Sequence, residues 1–340
     1  MREQNTITTS DESPFHPQAD TRRLPYSTLG IALGLAGTGS AWSLAVVEFG
    51  VPSWISEVLF AISAAWWLTV VVARLPFTRA RLRHLINDIQ HPITGPFPAY
   101  VPVVALLLTG HYATYLPSAA GTVLCIIWVV ILTGMCAQML AFWLSGALHL
   151  EQIHPGYALP VIAGPFIAAM TLTGVGYPTA GIAAATVGGF YWLTLGTVIF
   201  LRLIHGAPLP ASLTPTLAVL VTPPATAGLA WFALQAGRTD TVQNGLAGVV
   251  VLFLCTQVFM LPNYLSGPFH LGYWAFSFPA AALASYSLRW AVAHPSVFTE
   301  TVAVIALCAT TALLLVLGAG TALLIRRPRA VQPAATGLGT

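Results

Sequence analysis

The sequence predicts an all-α integral membrane protein with ten transmembrane helices arranged as five parallel-repeat helical hairpins. Three observations predict this fold: long apolar runs, a low content of charged residues, and proline concentrated in alternate runs. Of the 340 residues, 56% are hydrophobic and only 7% are charged, whereas a soluble domain carries about 25% charged residues. This composition excludes an ordinary soluble domain.

Ten apolar runs follow one another along the chain. A helix of about 20 apolar residues crosses the hydrocarbon core of a bilayer, which is roughly 30 Å thick, and most of the runs reach this length. They cover 26–49, 54–73, 98–115, 121–148, 158–175, 180–203, 211–236, 244–262, 270–290 and 301–325.

Proline separates the odd-numbered runs from the even-numbered ones. Runs three, five, seven and nine contain proline, while run eight has only Pro262 at its end and runs two, four, six and ten have none inside. Proline kinks a helix, and broken backbone at membrane depth is tolerated only inside protein or beside water. We therefore expect the odd helices to form an inner ring around a central pore. The prolines expected to kink or line that pore are Pro102, Pro160, Pro165, Pro215, Pro223, Pro224 and Pro279.

The loops predict the orientation and the domain organisation. Residues 1–24 and 326–340 are polar and are predicted to be cytoplasmic tails that flank one transmembrane domain over 25–325. With both termini inside, 11 arginines lie on the cytoplasmic side and only Arg238 and Arg289 lie outside. This bias predicts a multi-pass protein of the plasma or inner membrane. The same arginines, which lie in tails and loops, account for the net charge of +3. The lipid bilayer is therefore a predicted partner, and nucleic acid is not.

A weak internal repeat supports the hairpin arrangement. The tripeptide Gly-Pro-Phe occurs at 95–97, 164–166 and 267–269, each time at the beginning of an inner run. Repeats that cross the membrane twice are parallel copies about an axis normal to the membrane. Alternatively, Gly-Pro pairs simply mark helix starts.

The spans lack groups for chemistry at membrane depth. No Asp, Glu, Lys or Arg lies in the middle of a predicted span, so the sequence predicts neither an enzyme nor a cofactor, and no metal site. His111 lies towards the outer end of span three and is interpreted as a satisfied interfacial histidine, with a proton-coupling role as the alternative. The glycines Gly34, Gly37 and Gly39 lie within span one without a preceding strand, which favours close helix packing over a phosphate loop.

Span nine contains the segment Tyr273-Trp274-Ala275-Phe276-Ser277-Phe278-Pro279-Ala280. It resembles the ninth helix of the tellurite-resistance/dicarboxylate transporter family, which includes the slow-type anion channels and the proteins like tellurite-resistance protein A. The resemblance implies ten helices in five hairpins, with Phe278 closing the pore and Phe276 beside it. A second pore phenylalanine of the family matches Phe166. An ordinary packed aromatic remains the alternative for Phe278.

Two further segments extend the resemblance over roughly 25–325. His91-Pro92-Ile93-Thr94-Gly95-Pro96-Phe97 is similar to the approach to the third helix of the family. Leu213-Thr214-Pro215-Thr216, followed by Pro223-Pro224-Ala225, is similar to its seventh helix.

The resemblance implies a transmembrane conduit for small anions and a homotrimer with one pore in each protomer. Candidate anions are chloride, nitrate, sulfite, C4-dicarboxylates and tellurite-related oxyanions. The alternative function is a proton-coupled secondary transporter of malate-like C4-dicarboxylates, in which His111 would take part.

Overall fold

The computed structural model describes residues 24–75 and 78–326, and these ranges fold into α-helices with short 3₁₀ and π segments and no strand. The predicted tails therefore lie, apart from Leu24 and Arg326, outside the described residues. The helices are α1 (Leu29–Phe49), α2 (Trp54–Arg74), α3 (Arg79–Ile89), α4 (Tyr100–Tyr112), α5 (Ser118–Leu144), α6 (Gly164–Gly174), α7 (Pro178–His205), α8 (Thr222–Leu234), α9 (Thr241–Tyr264), α10 (Ser277–Ala293) and α11 (Val297–Arg326).

Eight helical segments of the described ranges are long and apolar enough to cross a membrane. They include all the predicted spans except those around α4, which has 13 residues, and α10, which has 17. The chain is therefore an integral membrane protein of the all-helical class.

Irregular helical segments precede the inner helices, as the prolines predict. A 3₁₀ turn at Phe97–Ala99 leads into α4, and a π-helix at Leu159–Ala163 leads into α6. Longer 3₁₀ segments, Thr214–Val221 and Leu271–Phe276, lead into α8 and α10. Proline lacks the N–H that an α-helical turn uses and clashes with the preceding carbonyl, so regular α-helix starts only beyond or near each proline.

Five of the helices form an inner group, and each of the five packs against the helix of the outer group that follows it in the chain. α1 contacts α2, α4 contacts α5, α6 contacts α7, α8 contacts α9, and α10 contacts α11. In addition α1, α4, α6, α8 and α10 contact one another in that order, and α10 returns to α1. The apolar windows of the spans that contain α1, α6 and α8 are 56%, 89% and 67% buried, while the windows of the other five spans are at most 33% buried.

Glycines in α1 permit a very close approach of α10. A Cβ atom placed on Gly34 would lie 2.0 Å from Ser277 Oγ, and one on Gly37 would lie 2.8 Å from Phe278 Cδ2. A Cβ on Gly39 would come within 3.0 Å of the Phe60 ring of α2. The predicted role of these glycines in helix packing is confirmed.

One helix was not anticipated from the sequence. α3 is an amphipathic helix in a segment that we treated as a loop between spans two and three. It is held to the end of α2 by Arg74, whose Nη1 lies 3.2 Å from Asp88 Oδ2. The Arg74 guanidinium also lies 4.6 Å from the centre of the Tyr26 ring. Arg79, Arg81 and Arg83 therefore lie on a helix rather than in an irregular loop.

Candidate functional site

A cavity of about 780 Å³ lies among the five mutually contacting helices. α1, α4, α6, α8 and α10 all contribute to its wall, together with part of α2. The wall is mostly apolar, and its charged side chains are Glu57 and Arg289. Both lie towards the end of the cavity that is formed by the C-terminal parts of α1, α4 and α10.

A second, smaller cavity of about 180 Å³ lies at the opposite end of the same helices. Its walls come from the segments that lead into the inner helices and include Ser27, Tyr100, Gly156, Thr216 and Trp274. Several helices therefore begin around this cavity. Helix N-termini carry partial positive charge and unpaired N–H groups, which favours anions nearby.

The inner end of the large cavity is defined by one residue from each of the five helices. These are the lining residues closest to the helix N-termini, and hence to the small cavity: Gly37, Leu107, Ile167, Thr226 and Phe278. Among them Phe278 alone has an aromatic ring, and its side chain is the largest of the five. Four residues earlier on the same chain, Trp274 lines the small cavity, so Phe278 lies between the two spaces.

The Phe278 ring is held against α1. Only 4% of its surface is exposed, and its Cδ2 atom faces the bare Cα of Gly37. The ring can occupy this position because residue 37 has no side chain. The structure thus brings one predicted pore phenylalanine to the cavity.

The other predicted aromatic residues lie elsewhere. The Phe166 ring packs on Gly188 of α7, where an added Cβ would lie 3.1 Å from ring atoms. Phe276 packs on Tyr264 of α9, with 4.8 Å between ring centroids. Neither lines either cavity, because each points towards an outer helix. Phe278 is therefore the one predicted pore phenylalanine that lines a cavity.

The predicted prolines shape the helices without forming the cavity walls. Each of them lies in an irregular lead-in segment or in the first turn of an inner helix, and none of them lines either cavity. These are positions where a proline disturbs a regular helix, and the roles of these prolines in kinking or lining a pore stay predictions. This applies to Pro102, Pro160, Pro165, Pro215, Pro223, Pro224 and Pro279.

A hydrogen-bonded chain of polar groups lies in the wide part of the large cavity. His111 Nε2 is 2.9 Å from Glu57 Oε1, and His111 Nδ1 is 3.3 Å from Ser43 Oγ. The imidazole also stacks on Phe60 at 3.9 Å. With Glu57 ionised, Nε2–H donates to the carboxylate and Nδ1 accepts from the serine hydroxyl. His111 is therefore satisfied, as predicted, but its partners come from α1 and α2, far away in sequence.

Histidine rings accept hydrogen bonds from backbone N–H groups just ahead of three of the inner helices. His154 Nδ1 accepts a hydrogen bond from the Gly156 N–H at 3.2 Å, and its Nε2–H donates to the Ile93 carbonyl at 3.0 Å. His270 accepts from the Gly272 N–H at 3.1 Å, and His91 accepts from the Thr94 N–H at 3.1 Å. Two of these histidines, His91 and His154, are followed directly by proline. Their rings satisfy N–H groups that the start of a helical turn leaves free.

Burial lowers the pKa of His154 to about 4 from its ordinary value of 6.5, and the nearby Arg202 adds to this effect. The folded protein therefore keeps His154 neutral at a pH where the unfolded chain binds a proton. The contribution of neutral His154 to the free energy of unfolding is complete above about pH 6.5. It decreases as the pH drops towards 4, because the unfolded state then gains the proton.

We expect His154→Asn to flatten the decline of stability in acid. Asn retains a cap oxygen for the Gly156 N–H but does not titrate. Between pH 7 and pH 5 the wild type should therefore lose about 2 kcal/mol of unfolding free energy that the variant does not lose. Thermal unfolding of the purified protein at both pH values measures this. The control is His205→Asn, an exposed histidine at the end of α7. A wild-type decline that equals the decline of His154→Asn would contradict the expectation.

Together, the fold and the cavities define a multi-pass, all-helical membrane protein with a candidate site in the space between its inner helices. The chain matches the family model described as SLAC1, voltage-dependent anion channel, over residues 23–322, and it belongs to that family. The resemblance found in the sequence is thereby confirmed. Anion transport in general is what this membership supports.

Individual relatives are distant but cover most of the chain. The tellurite resistance protein TehA homolog of Haemophilus influenzae is 24% identical over 269 residues, which is 77% of this chain and 80% of the relative. The S-type anion channel SLAH3 of Arabidopsis thaliana is 28% identical over 84% of this chain. The guard cell S-type anion channel SLAC1 of the same plant is 23% identical over 88% of this chain. The chain spans about half the length of these plant channels, 46% and 56% respectively.

Proposed function

We propose that this protein is a transmembrane conduit for small anions and that the Phe278 side chain closes it. The observation that carries this proposal is the position of Phe278, which lies at the inner end of the large cavity, with the small cavity on its other side. An apolar ring in a narrow passage blocks ions by filling the space and by excluding the water that hydrates them. Chloride, nitrate, sulfite, C4-dicarboxylates and tellurite-related oxyanions are the candidate anions.

The proposed pore requires ten membrane crossings in five hairpins. Each of the helices α4, α6, α8 and α10 crosses the membrane together with the irregular segment that leads into it. This arrangement is supported by the closed order of contacts among α1, α4, α6, α8 and α10 and by the pairing of each with the next helix. The helix N-termini around the small cavity would make its electrostatic potential favourable for anions.

The protein also has an orientation in the membrane and an oligomeric state. We place both termini in the cytoplasm, on the basis of the arginine distribution, which puts the small cavity inside and the His111 cluster outside. The outer helices α7, α9 and α11 expose many large apolar side chains, as lipid or neighbouring protomers require. The homotrimer implied by the family resemblance stays a prediction.

The function is tested by measuring anion flux from proteoliposomes with purified protein. Chloride, nitrate, sulfite and malate are each assayed with and without a pH gradient. We expect the anion flux to be independent of that gradient. Empty liposomes and liposomes with heat-denatured protein are the controls. Flux no greater than in these controls, for wild type and Phe278→Ala alike, would contradict an anion conduit.

Gly37→Ala should increase flux several-fold, but less than the removal of the Phe278 ring. The new methyl would lie 2.8 Å from Phe278 Cδ2 and 3.0 Å from Ala281 Cβ, so the ring must leave its position against α1. The matched control is Gly134→Ala in α5, where nothing lies within 4 Å of the added Cβ. Equal flux in the two variants would show that the position of the ring does not control the passage.

A second candidate function is proton-coupled transport of C4-dicarboxylates. It is favoured by the His111–Glu57 pair, since a carboxylate and an imidazole in a water-accessible cavity can exchange a proton. Coupled transport predicts malate accumulation that is driven by an inward proton gradient and is lost in His111→Gln. A conduit predicts malate flux that follows the malate gradient alone.

A further inference from the structure

Thr222 lies on the cavity-facing side of the seventh span, between the two cavities. Val219, three residues earlier, lines the small cavity, and Thr226, four residues later, lines the large one. Residues 214–221 form a 3₁₀ helix and α8 starts at Thr222. Three residues complete one 3₁₀ turn and four residues slightly exceed one α-helical turn. Val219, Thr222 and Thr226 therefore share one face of the span.

The Thr222 side chain is fully buried, and its hydroxyl has no hydrogen-bond partner among the described residues 24–75 and 78–326. Two other buried threonines of the inner helices behave differently. Thr226 Oγ1 donates to the Thr222 carbonyl at 2.8 Å, and Thr171 Oγ1 in α6 donates to the Ile167 carbonyl at 3.0 Å. A buried hydroxyl without a partner destabilises the fold and calls for an explanation.

Thr222 lies at a break in the regular helix of the seventh span. A threonine inside an α-helix can donate to the carbonyl four residues earlier. At Thr222 the preceding turns are 3₁₀, and its own N–H already bonds three residues back, to the Val219 carbonyl. The following residues, Pro223 and Pro224, supply no N–H groups. The unpartnered hydroxyl thus lies at a break in the helix, between the levels of Val219 and Thr226.

We propose that the Thr222 hydroxyl donates a hydrogen bond to the anion as it passes between the two cavities. This inference rests on the proposed function, because it needs an anion to pass Phe278. The ligand class is a small inorganic anion with a strong acceptor atom, such as chloride or an oxyanion. A neutral donor suits conduction, since the site must attract the ion without holding it. Thr222 is therefore a determinant of anion preference, and Phe278 a determinant of whether any anion passes.

The test uses the Phe278→Ala background, in which the candidate gate is absent. Adding Thr222→Val removes the hydroxyl and keeps the branched shape, so chloride flux should fall about tenfold, the value of one hydrogen bond to a charged group. Thr222→Ser keeps the donor and should stay within about twofold of the parent. The matched control is Thr38→Val in α1, which removes a buried hydroxyl that lines neither cavity and already donates to the Gly34 carbonyl at 2.8 Å. The chloride-to-iodide flux ratio should fall in Thr222→Val alone, since iodide is the weaker acceptor.

The outcomes separate the two proposals. A conducting Phe278→Ala parent with unchanged flux and unchanged ratio after Thr222→Val would overturn the role of Thr222 and leave the conduit intact. Absence of flux in every variant, including the parent, would overturn both. The melting temperature is the second readout: loss of an unpaired hydroxyl should not lower it. A Thr222→Val protein that melts earlier than its parent, or fails to fold, would show that the hydroxyl bonds within the protein and would overturn the inference.

Discussion

Replacing Phe278 with alanine should raise anion flux by an order of magnitude or more, because it removes the ring that separates two cavities. The large cavity of about 780 Å³ ends at this ring, and its other inner lining residues are smaller. Opening in the wild type then requires the ring to leave the surface of Gly37 by a rotamer change. Chloride efflux from proteoliposomes with equal amounts of folded protein measures the effect.

Phe232→Ala is the matched control for this experiment. Phe232 also lines the large cavity and is 2% exposed, but it lies in α8 towards the wide end. Both truncations remove a buried ring and cost about 3–5 kcal/mol of stability, so a general loosening of the bundle would affect them alike. A similar flux increase in both variants, or none in Phe278→Ala, would show that Phe278 is an ordinary packed aromatic.

Gly34→Ala should be the most destabilising single-methyl change in α1. The added Cβ would lie 2.0 Å from Ser277 Oγ and 2.4 Å from Ser277 Cβ. The serine cannot rotate away freely, since its Cβ moves with the backbone and its hydroxyl donates to the Trp274 carbonyl at 2.6 Å. α1 and α10 must separate, at a cost of about 1–3 kcal/mol or more.

Thermal unfolding in detergent measures this cost, and Gly248→Ala in α9 provides the control. Nothing lies within 4 Å of a Cβ at Gly248, so alanine there should raise stability by about 0.5–1 kcal/mol through its better helix propensity. A melting temperature of Gly34→Ala that equals the wild-type value would mean that α1 and α10 are further apart than described.

The sequence was most informative about features with a local cause. Runs of apolar residues predicted the helices, because a bilayer imposes one length on every span. Prolines predicted where regular α-helix would fail, since the missing N–H acts within one turn. The span-nine segment led to the family and to Phe278, which does lie at the inner end of the large cavity.

Features that depend on distant contacts were not predictable in this way. The sequence gives no sign that His111 meets Glu57, because the two lie on α4 and α2 and are 54 residues apart. The direction of a side chain around its helix was equally hidden. Phe166 matches the second pore phenylalanine of the family by resemblance, yet its ring packs on Gly188 of the outer helix α7. Thr222 stands out only when the hydrogen bonds of its neighbours are known.

The central claim, that anions move through this protein without a coupled proton, is tested most directly by the reversal potential of Phe278→Ala in a planar bilayer. The recording uses a tenfold chloride gradient, first at equal pH and then with a pH difference of one unit. A reversal potential that stays near the chloride equilibrium potential in both conditions is the predicted result. A reversal potential that moves with the pH difference would contradict it and identify the protein as a proton-coupled transporter.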